Sequence, residues 1–257
     1  MRKFIPLFKK FLYTILFLLS FSETGFAYRP FVTEDAGVVG KGGIQTEMGY
    51  DYTKWDNNTA DHTFLLISPH YGVTQNLELA VAVPLMLHQA GDNNAMGVGD
   101  ITIAAKYAIL RENNKANDPW FTVKGGVKLN TGDYDRGLGR GDIEYALSAI
   151  LSKSFKDRFT FHTELGYSFV TYKKDNDLGN YFFYGVAADY VVKKPFHIVA
   201  EISGNKNPDK DASYQNQVLL GVIYEFSENI AFDASIKKGF NPASPEWGGG
   251  IGLTMTF

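Results

Sequence analysis

The sequence predicts an all-β protein, folded as a single closed antiparallel transmembrane β-barrel of about twelve strands. Apolar and polar residues alternate with a period of two through most of residues 43–257, which is the pattern of strands. Most alternating segments are near or above the length of about 9–11 residues that a tilted strand needs to cross a bilayer. The connections alternate between short and long, as in outer-membrane barrels, which have short periplasmic turns and longer extracellular loops.

Residues 1–27 have the composition of a cleavable signal peptide. Basic residues come first, an apolar run occupies 11–21, and the small residues Gly25 and Ala27 stand at the −3 and −1 positions of a cleavage site. The alternative is a membrane anchor, but the run is shorter than the ~20 apolar residues of a spanning helix. Four of the 25 Lys and Arg and one of the 28 Asp and Glu lie in this segment, so cleavage would leave 21 basic and 27 acidic residues, a net charge of −6. This charge argues against a nucleic-acid partner.

Twelve segments carry the strand pattern in order along the chain. Residues 44–52, for example, place Ile44, Met48 and Tyr50 on one face and Glu47 and Asp51 on the other. The predicted strands span 43–53, 63–73, 77–87, 99–110, 120–130, 141–154, 159–172, 180–192, 196–204, 214–226, 230–239 and 247–257.

The connections and the aromatic residues define two rims. Tight turns at 74–76, 156–158, 193–195 and 227–229 mark one rim, with a longer exception at 111–119, and long polar loops mark the other. Pro69 and Pro84 predict bulges near a rim, because proline lacks the N–H that a ladder needs. Aromatic residues gather at both ends of the strands around an uncharged band, which favours a lipid-facing barrel over a lipocalin-like one. Phe257 ends the last strand and resembles the assembly signal read by barrel-insertion machinery, besides serving as a girdle aromatic.

The face predicted to point inward is strongly acidic. The candidate lumen-lining residues are Glu47, Asp100, Lys106, Lys124, Lys128, Asp142, Glu144, His162, Glu164, Asp189, His197, Glu201, Glu225 and Asp233. Together with Asp51, Glu78 and Lys237 they make eleven acidic and four basic groups, a surplus that would concentrate cations in a narrow tube. A tight register would place Asp142 opposite Lys128, with Glu144 diagonal to it.

Catalytic and metal-binding patterns are weak. Zero Cys excludes thiolate ligands and Cys nucleophiles. None of the five His is followed two residues later by Ser, the spacing found in lipases of the outer membrane. His162, Glu164 and the neighbouring Asp189 could form an acid–base or metal group, but a solvated lumen cluster is the better interpretation. Asp/Asn-rich loops could bind Ca²⁺ or bridge lipopolysaccharide through Mg²⁺, although turn formation explains them better. The sequence therefore predicts no enzyme, no catalytic or metal site and no cofactor.

Several segments, in order and at similar spacing, resemble the outer-membrane barrels of the MetA-pathway phenol-degradation family. They are "RPFVTEDAGVVGKGGIQTEMGYDY", "VPLML", "GVGDITIAAKYAI", "GVKLNTGD", "GLGRGDIEYALSAILSKSF", "VAEISGN" and the terminal Phe257. Asn130 departs from the proline of the family's "LPTGD". The resemblance implies an outer-membrane barrel that helps hydrophobic or aromatic compounds to cross. We therefore expect passive passage of small solutes of that kind; the alternative is a non-transporting structural or adhesive surface barrel.

Residues 28–42 precede the barrel, predicted at 43–257, and carry too few linker features to be a simple spacer. They could enter the lumen as a small plug, close the periplasmic mouth, or form a disordered leader. The expected partners are outer-membrane lipid and lipopolysaccharide, the barrel-assembly machinery and a small-molecule solute, with no nucleic acid.

Overall fold

The computed structural model describes residues 29–55, 58–91, 93–112, 118–156, 158–173, 179–206 and 213–257. The predicted signal peptide at 1–27 lies outside the described residues. Within those ranges, no helix is both long enough and apolar enough to cross a membrane.

Thirteen strands occupy the described residues. They are β1 Ile44–Lys54, β2 Thr59–Gly72, β3 Leu77–Ala90, β4 Asn93–Val98, β5 Thr102–Leu110, β6 Trp120–Lys128, β7 Asp142–Phe155, β8 Phe159–Lys173, β9 Tyr181–Lys193, β10 Phe196–Lys206, β11 Tyr214–Ser227, β12 Ile230–Gly239 and β13 Trp247–Thr256. All strands except β4 form a continuous antiparallel ring, which the pairing of β1 with β13 closes. The fold is the predicted closed antiparallel barrel of twelve strands, with one strand added. Within the described ranges, each strand of the ring pairs with a neighbour on both sides, whereas β4 pairs only with β3.

The added strand replaces a predicted loop. Residues 88–98 are expected to be a loop, but β3 continues to Ala90 and returns as β4 through a turn at Gly91, whose φ is 59°. β3 pairs with β5 along 77–82 and with β4 along 85–90. Pro84 stands where the partner changes, so its missing N–H costs little, and its carbonyl accepts from Gly99 N at 2.9 Å.

The bulges also differ from the expectation. The extra residue of the β2–β3 pair is Leu66, opposite Val83 and Pro84 in mid-strand rather than near a rim. Pro69 pairs with Thr46 in regular register. The β1–β2 loop is also short, since only residues 55–58 separate the two strands.

The barrel wall is apolar outside and polar inside. On β7 and β8, Leu147 is 59% and Leu165 56% exposed, whereas their neighbours Ser148 and Glu164 are buried. A soluble domain buries its large apolar side chains instead. A continuous apolar outer band on a closed barrel fits contact with lipid.

Aromatic pairs lie at both rims. Phe159 and Tyr190 meet near the short turns with ring centroids 4.5 Å apart, and Tyr52 and Trp247 meet near the long loops at 4.9 Å. Phe257 N donates to the carbonyl of Ile44 at 2.7 Å, so the last residue joins the seam between β13 and β1.

Candidate functional site: a charged lumen crossed by the N-terminal segment

Residues 29–43, the N-terminal segment, lie inside the barrel. The segment leaves the start of β1 at the short-turn rim, where Gly42 N donates to Gly72 O at 2.7 Å and Gly72 N donates to Gly43 O at 3.0 Å. A Cβ on Gly72 would overlap the backbone of Gly40, so this approach requires glycine. Further along, Val39 N donates to Glu78 Oε2 at 2.7 Å.

A hydroxyl pair on β6 and β7 holds the middle of the segment. Ala36 N donates to Ser152 Oγ at 2.9 Å, and Thr122 Oγ1 donates to Ala36 O at 2.5 Å. Ser152 Oγ also lies 2.8 Å from His162 Nδ1, directly across the β7–β8 pair. This serine–histidine pair joins two strands, so a search for His-x-Ser on one strand does not reveal it. The segment covers Ser152, which argues against its use as a nucleophile.

Two lumen carboxylates bind the backbone of the segment. Glu201 Oε2 accepts from Val32 N at 2.8 Å and from Thr33 N at 3.2 Å. Glu164 Oε2 accepts from Glu34 N at 2.9 Å. Backbone N–H groups that cross a lumen need acceptors, and these two glutamates supply them.

Ion pairs tie the acidic side chains of the segment to two lysines of the wall. The Glu34 carboxylate contacts Lys124, and Lys106 Nζ lies 3.4 Å from Glu34 Oε2 and 3.6 Å from Asp35 Oδ2. Burial alone would raise the pKa of Glu34, but the two ammonium groups outweigh it and lower that pKa. Burial raises the pKa of Asp35 to about 7, against the opposing attraction of Lys106.

Basic and acidic groups pair again near the long loops. Lys128 Nζ lies 2.8 Å from Glu144 Oε2 and 3.8 Å from Asp142 Oδ1. Lys128 pairs directly with Glu144, so the predicted register, with Asp142 opposite Lys128, is wrong by two residues. The cause is the loop 129–141, which contains a 3-10 turn and brings Arg140 Nη2 to 3.3 Å from Asp142 Oδ2. Asp100 supports this loop from the β4–β5 connection, because its carboxylate accepts from Arg140 N at 2.9 Å.

The remaining candidates form smaller groups. Asp189 Oδ1 lies 2.9 Å from His197 Nδ1, whose Nε2 lies 3.4 Å from Glu225 Oε1. The suggested grouping of His162, Glu164 and Asp189 is therefore divided, because each has a different hydrogen-bond partner. In the described ranges, no three His, Asp or Glu side chains are placed to hold a metal ion.

Open space remains on both sides of the segment. A cavity of about 240 Å³ adjoins Glu47, His70 and Lys106, and a second of about 250 Å³ adjoins Lys124 and Lys128. A third cavity, of about 510 Å³, faces the long loops. Its lining includes Trp55, Tyr181, Phe183, Gln215, Gln217 and Lys237.

The profile of the family described as "Putative MetA-pathway of phenol degradation" matches residues 27–257. The chain belongs to this family. Its barrel is similar to the COG4313 outer membrane channel from Pseudomonas putida F1, with a TM-score of 0.70 and 14% identity over 87% of this chain and 98% of that one.

Two porins share the fold at lower similarity. The KdgM porin aligns with a TM-score of 0.54 and 13% identity, over 82% of this chain and 99% of its own. The NanC porin aligns with a TM-score of 0.56 and 13% identity, over 82% and 98%. At these identities the likeness concerns the fold. None of the curated proteins compared with this chain matches its sequence.

Proposed function

We propose that the protein is an outer-membrane channel for passive passage of small solutes, with hydrophobic or aromatic molecules as the solute class. The observation that carries the proposal is a charged lumen that the N-terminal segment fills only in part. Cavities of about 240 and 510 Å³ lie along the lumen of a closed barrel whose outer face is apolar. Membership of the family and the similarity of the fold to channels and porins support the same function.

The lining of the cavity of about 510 Å³ supports the solute class. Trp55, Tyr181 and Phe183 supply rings, while Gln215 and Gln217 supply amides beside them. Rings bind a planar apolar solute by stacking, and a few polar groups orient its hydroxyl. The Tyr181 hydroxyl itself donates to Glu144 Oε1 at 2.5 Å, so its ring is fixed in place.

Uptake by intact cells tests this proposal. Cells that lack the protein, and the same cells with it restored, are compared for the initial uptake of radiolabelled phenol, toluene and a sugar of similar mass. We expect faster uptake of the aromatic compounds when the protein is present. For each compound, equal uptake rates in cells with and without the protein would refute passage.

A second candidate is a non-transporting surface barrel. The specific observation in its favour is the segment itself, whose hydrogen bonds and ion pairs span the lumen from Gly43 to Val32. Normal assembly and surface exposure without any effect on uptake would support this candidate. Lipid, lipopolysaccharide and the assembly machinery would be its partners as well.

Location and orientation are tested separately with single cysteines, since the chain has none. We propose that the short turns are periplasmic. Cysteine at Asn58 should therefore react with an impermeant maleimide on intact cells, and cysteine at Asn76 should react only after lysis. The opposite result would invert the orientation.

A further inference from the structure

Two glycines form a flat slot on the lumen face of the barrel seam. Gly49 of β1 and Gly252 of β13 are direct partners across the strand pair. A Cβ on Gly49 would lie 2.5 Å from Cζ of Arg29, and its three nearest atoms are all guanidinium atoms of that residue. A Cβ on Gly252 would overlap Nε of Arg29. The guanidinium therefore lies against backbone where any other residue would exclude it.

Acceptors lie near two nitrogens of the guanidinium, Nη2 and Nε. Arg29 Nη2 lies 3.2 Å from Asp51 Oδ2 and 3.3 Å from the carbonyl oxygen of Ile251, while Nε lies 3.6 Å from Asp233 Oδ2. The side chain of Asp233 is only 3% exposed, and its Oδ1 has no hydrogen-bond partner among the described residues. The slot thus offers a buried acceptor that Arg29 does not fully use.

The chemistry of the slot distinguishes a guanidinium from an ammonium. A guanidinium is planar, weakly hydrated and carries its donors in one plane, so it can lie flat on glycine backbone and reach carboxylates on two sides. An ammonium is a compact, strongly hydrated point charge that gains nothing from a flat floor. The slot also opens on the cavity of about 240 Å³, which Arg29, Phe31 and Glu47 help to line.

We propose that this slot is a binding site for planar guanidinium and amidinium cations, and that Arg29 occupies it as a tethered ligand. A free cation of this class competes with Arg29 and so loosens the first residues of the N-terminal segment. Any effect of this loosening on passage through the lumen rests on the proposed channel function, whereas binding of the cation does not. A free ligand can bind only while Arg29 is out of the slot. Its apparent affinity is therefore the intrinsic affinity multiplied by the fraction of time that the slot is vacant.

Binding is measured with p-aminobenzamidine, a planar fluorescent amidinium, on the full-length protein folded in detergent. Arg29→Ala vacates the slot, and Lys41→Ala is the matched control, because it removes an exposed cation from the same segment. Folding of each variant is verified by its heat-dependent shift in gel mobility. We expect Arg29→Ala to bind the probe about tenfold or more tightly than the wild type, and Lys41→Ala to bind like the wild type.

Two further variants test the geometry. Adding Gly49→Ala to Arg29→Ala places a methyl group in the vacated slot, and adding Asp233→Asn removes the buried carboxylate; each should abolish the tighter binding. Guanidinium chloride should displace the probe, whereas methylammonium chloride should not. Wild-type affinity in Arg29→Ala, or equal displacement by methylammonium, would overturn the proposal. Because no step requires passage, these results are independent of whether the barrel conducts.

Discussion

Glu34 ties the N-terminal segment to two lysines of the wall, so Glu34→Gln should weaken the docking of the segment. The substitution keeps the shape of the side chain but removes the charge that faces Lys124 and Lys106. Lys106 retains Asp35 at 3.6 Å, so the main loss is the bond to Lys124. A hydrogen bond to a charged group contributes about 1.5–3 kcal/mol.

Solvent reduces this figure, because the side chains of Glu34 and Lys124 are 30% and 26% exposed. The lower part of the range, about 1.5–2 kcal/mol, is therefore expected for the loss of docking free energy. Since 1.36 kcal/mol is a factor of ten, the ratio of undocked to docked segment should rise roughly 10- to 30-fold. The backbone bonds from Val32 and Thr33 to Glu201 remain and keep the docked state populated.

Single-channel recording in planar bilayers measures this ratio as the time spent in the higher-conductance state. Lys124→Met and the double variant complete a mutant cycle with Glu34→Gln, and Glu228→Gln in an exposed turn is the control for loss of an acidic charge. The two single effects should be non-additive by about 1 kcal/mol or more, because the two side chains are in contact. Strict additivity, or an unchanged open fraction in Glu34→Gln, would refute the role given to this ion pair.

Three other predictions concern pH, selectivity and assembly. Burial raises the pKa of Asp35 to about 7, with help from the negative charges of Glu34 and Glu78 and against the attraction of Lys106. The docked segment therefore binds a proton that the free segment releases. Docking is therefore favoured at low pH and loses this contribution as the pH rises from about 4, near the ordinary pKa of an Asp, to about 7. The open fraction should increase over that range, and Asp35→Asn should flatten the profile. In a salt gradient the reversal potential should show cation selectivity, and Glu47→Gln with Glu164→Gln should weaken it, whereas anion selectivity would contradict the inward-facing acids. Deletion of Phe257 should lower the yield of folded barrel in cells far more than the loss of one rim aromatic explains. If the shortened protein folds with the yield of the wild type, Phe257 is not an assembly signal.

The twelve strands of the ring could be predicted because their side chains point alternately to an apolar outer surface and to a polar lumen, which gives the sequence a period of two. Strand β4 could not be, since Asn93 and Asn94 are typical of loops and the strand forms only because β3 extends beyond its pairing with β5. The register at Lys128 was equally hidden, because it depends on how the loop 129–141 folds around Asp100.

The role of the lumen acids was only partly visible in the sequence. Counting charges indicates an acidic tube, yet Glu164 and Glu201 accept from backbone N–H groups of the N-terminal segment. No alternation pattern identifies such acceptors, since the donors belong to a stretch with no regular secondary structure. Arg29 and Glu34 were missed as site residues for the same reason.

The central claim is that the barrel conducts through a lumen that the N-terminal segment partly fills. The most direct test is the conductance of purified, folded protein in planar bilayers, with and without residues 29–40. We predict low or intermittent conductance for the wild type and a larger, steady conductance for the shortened protein. Folded barrels of the shortened protein that conduct no ions would contradict the claim.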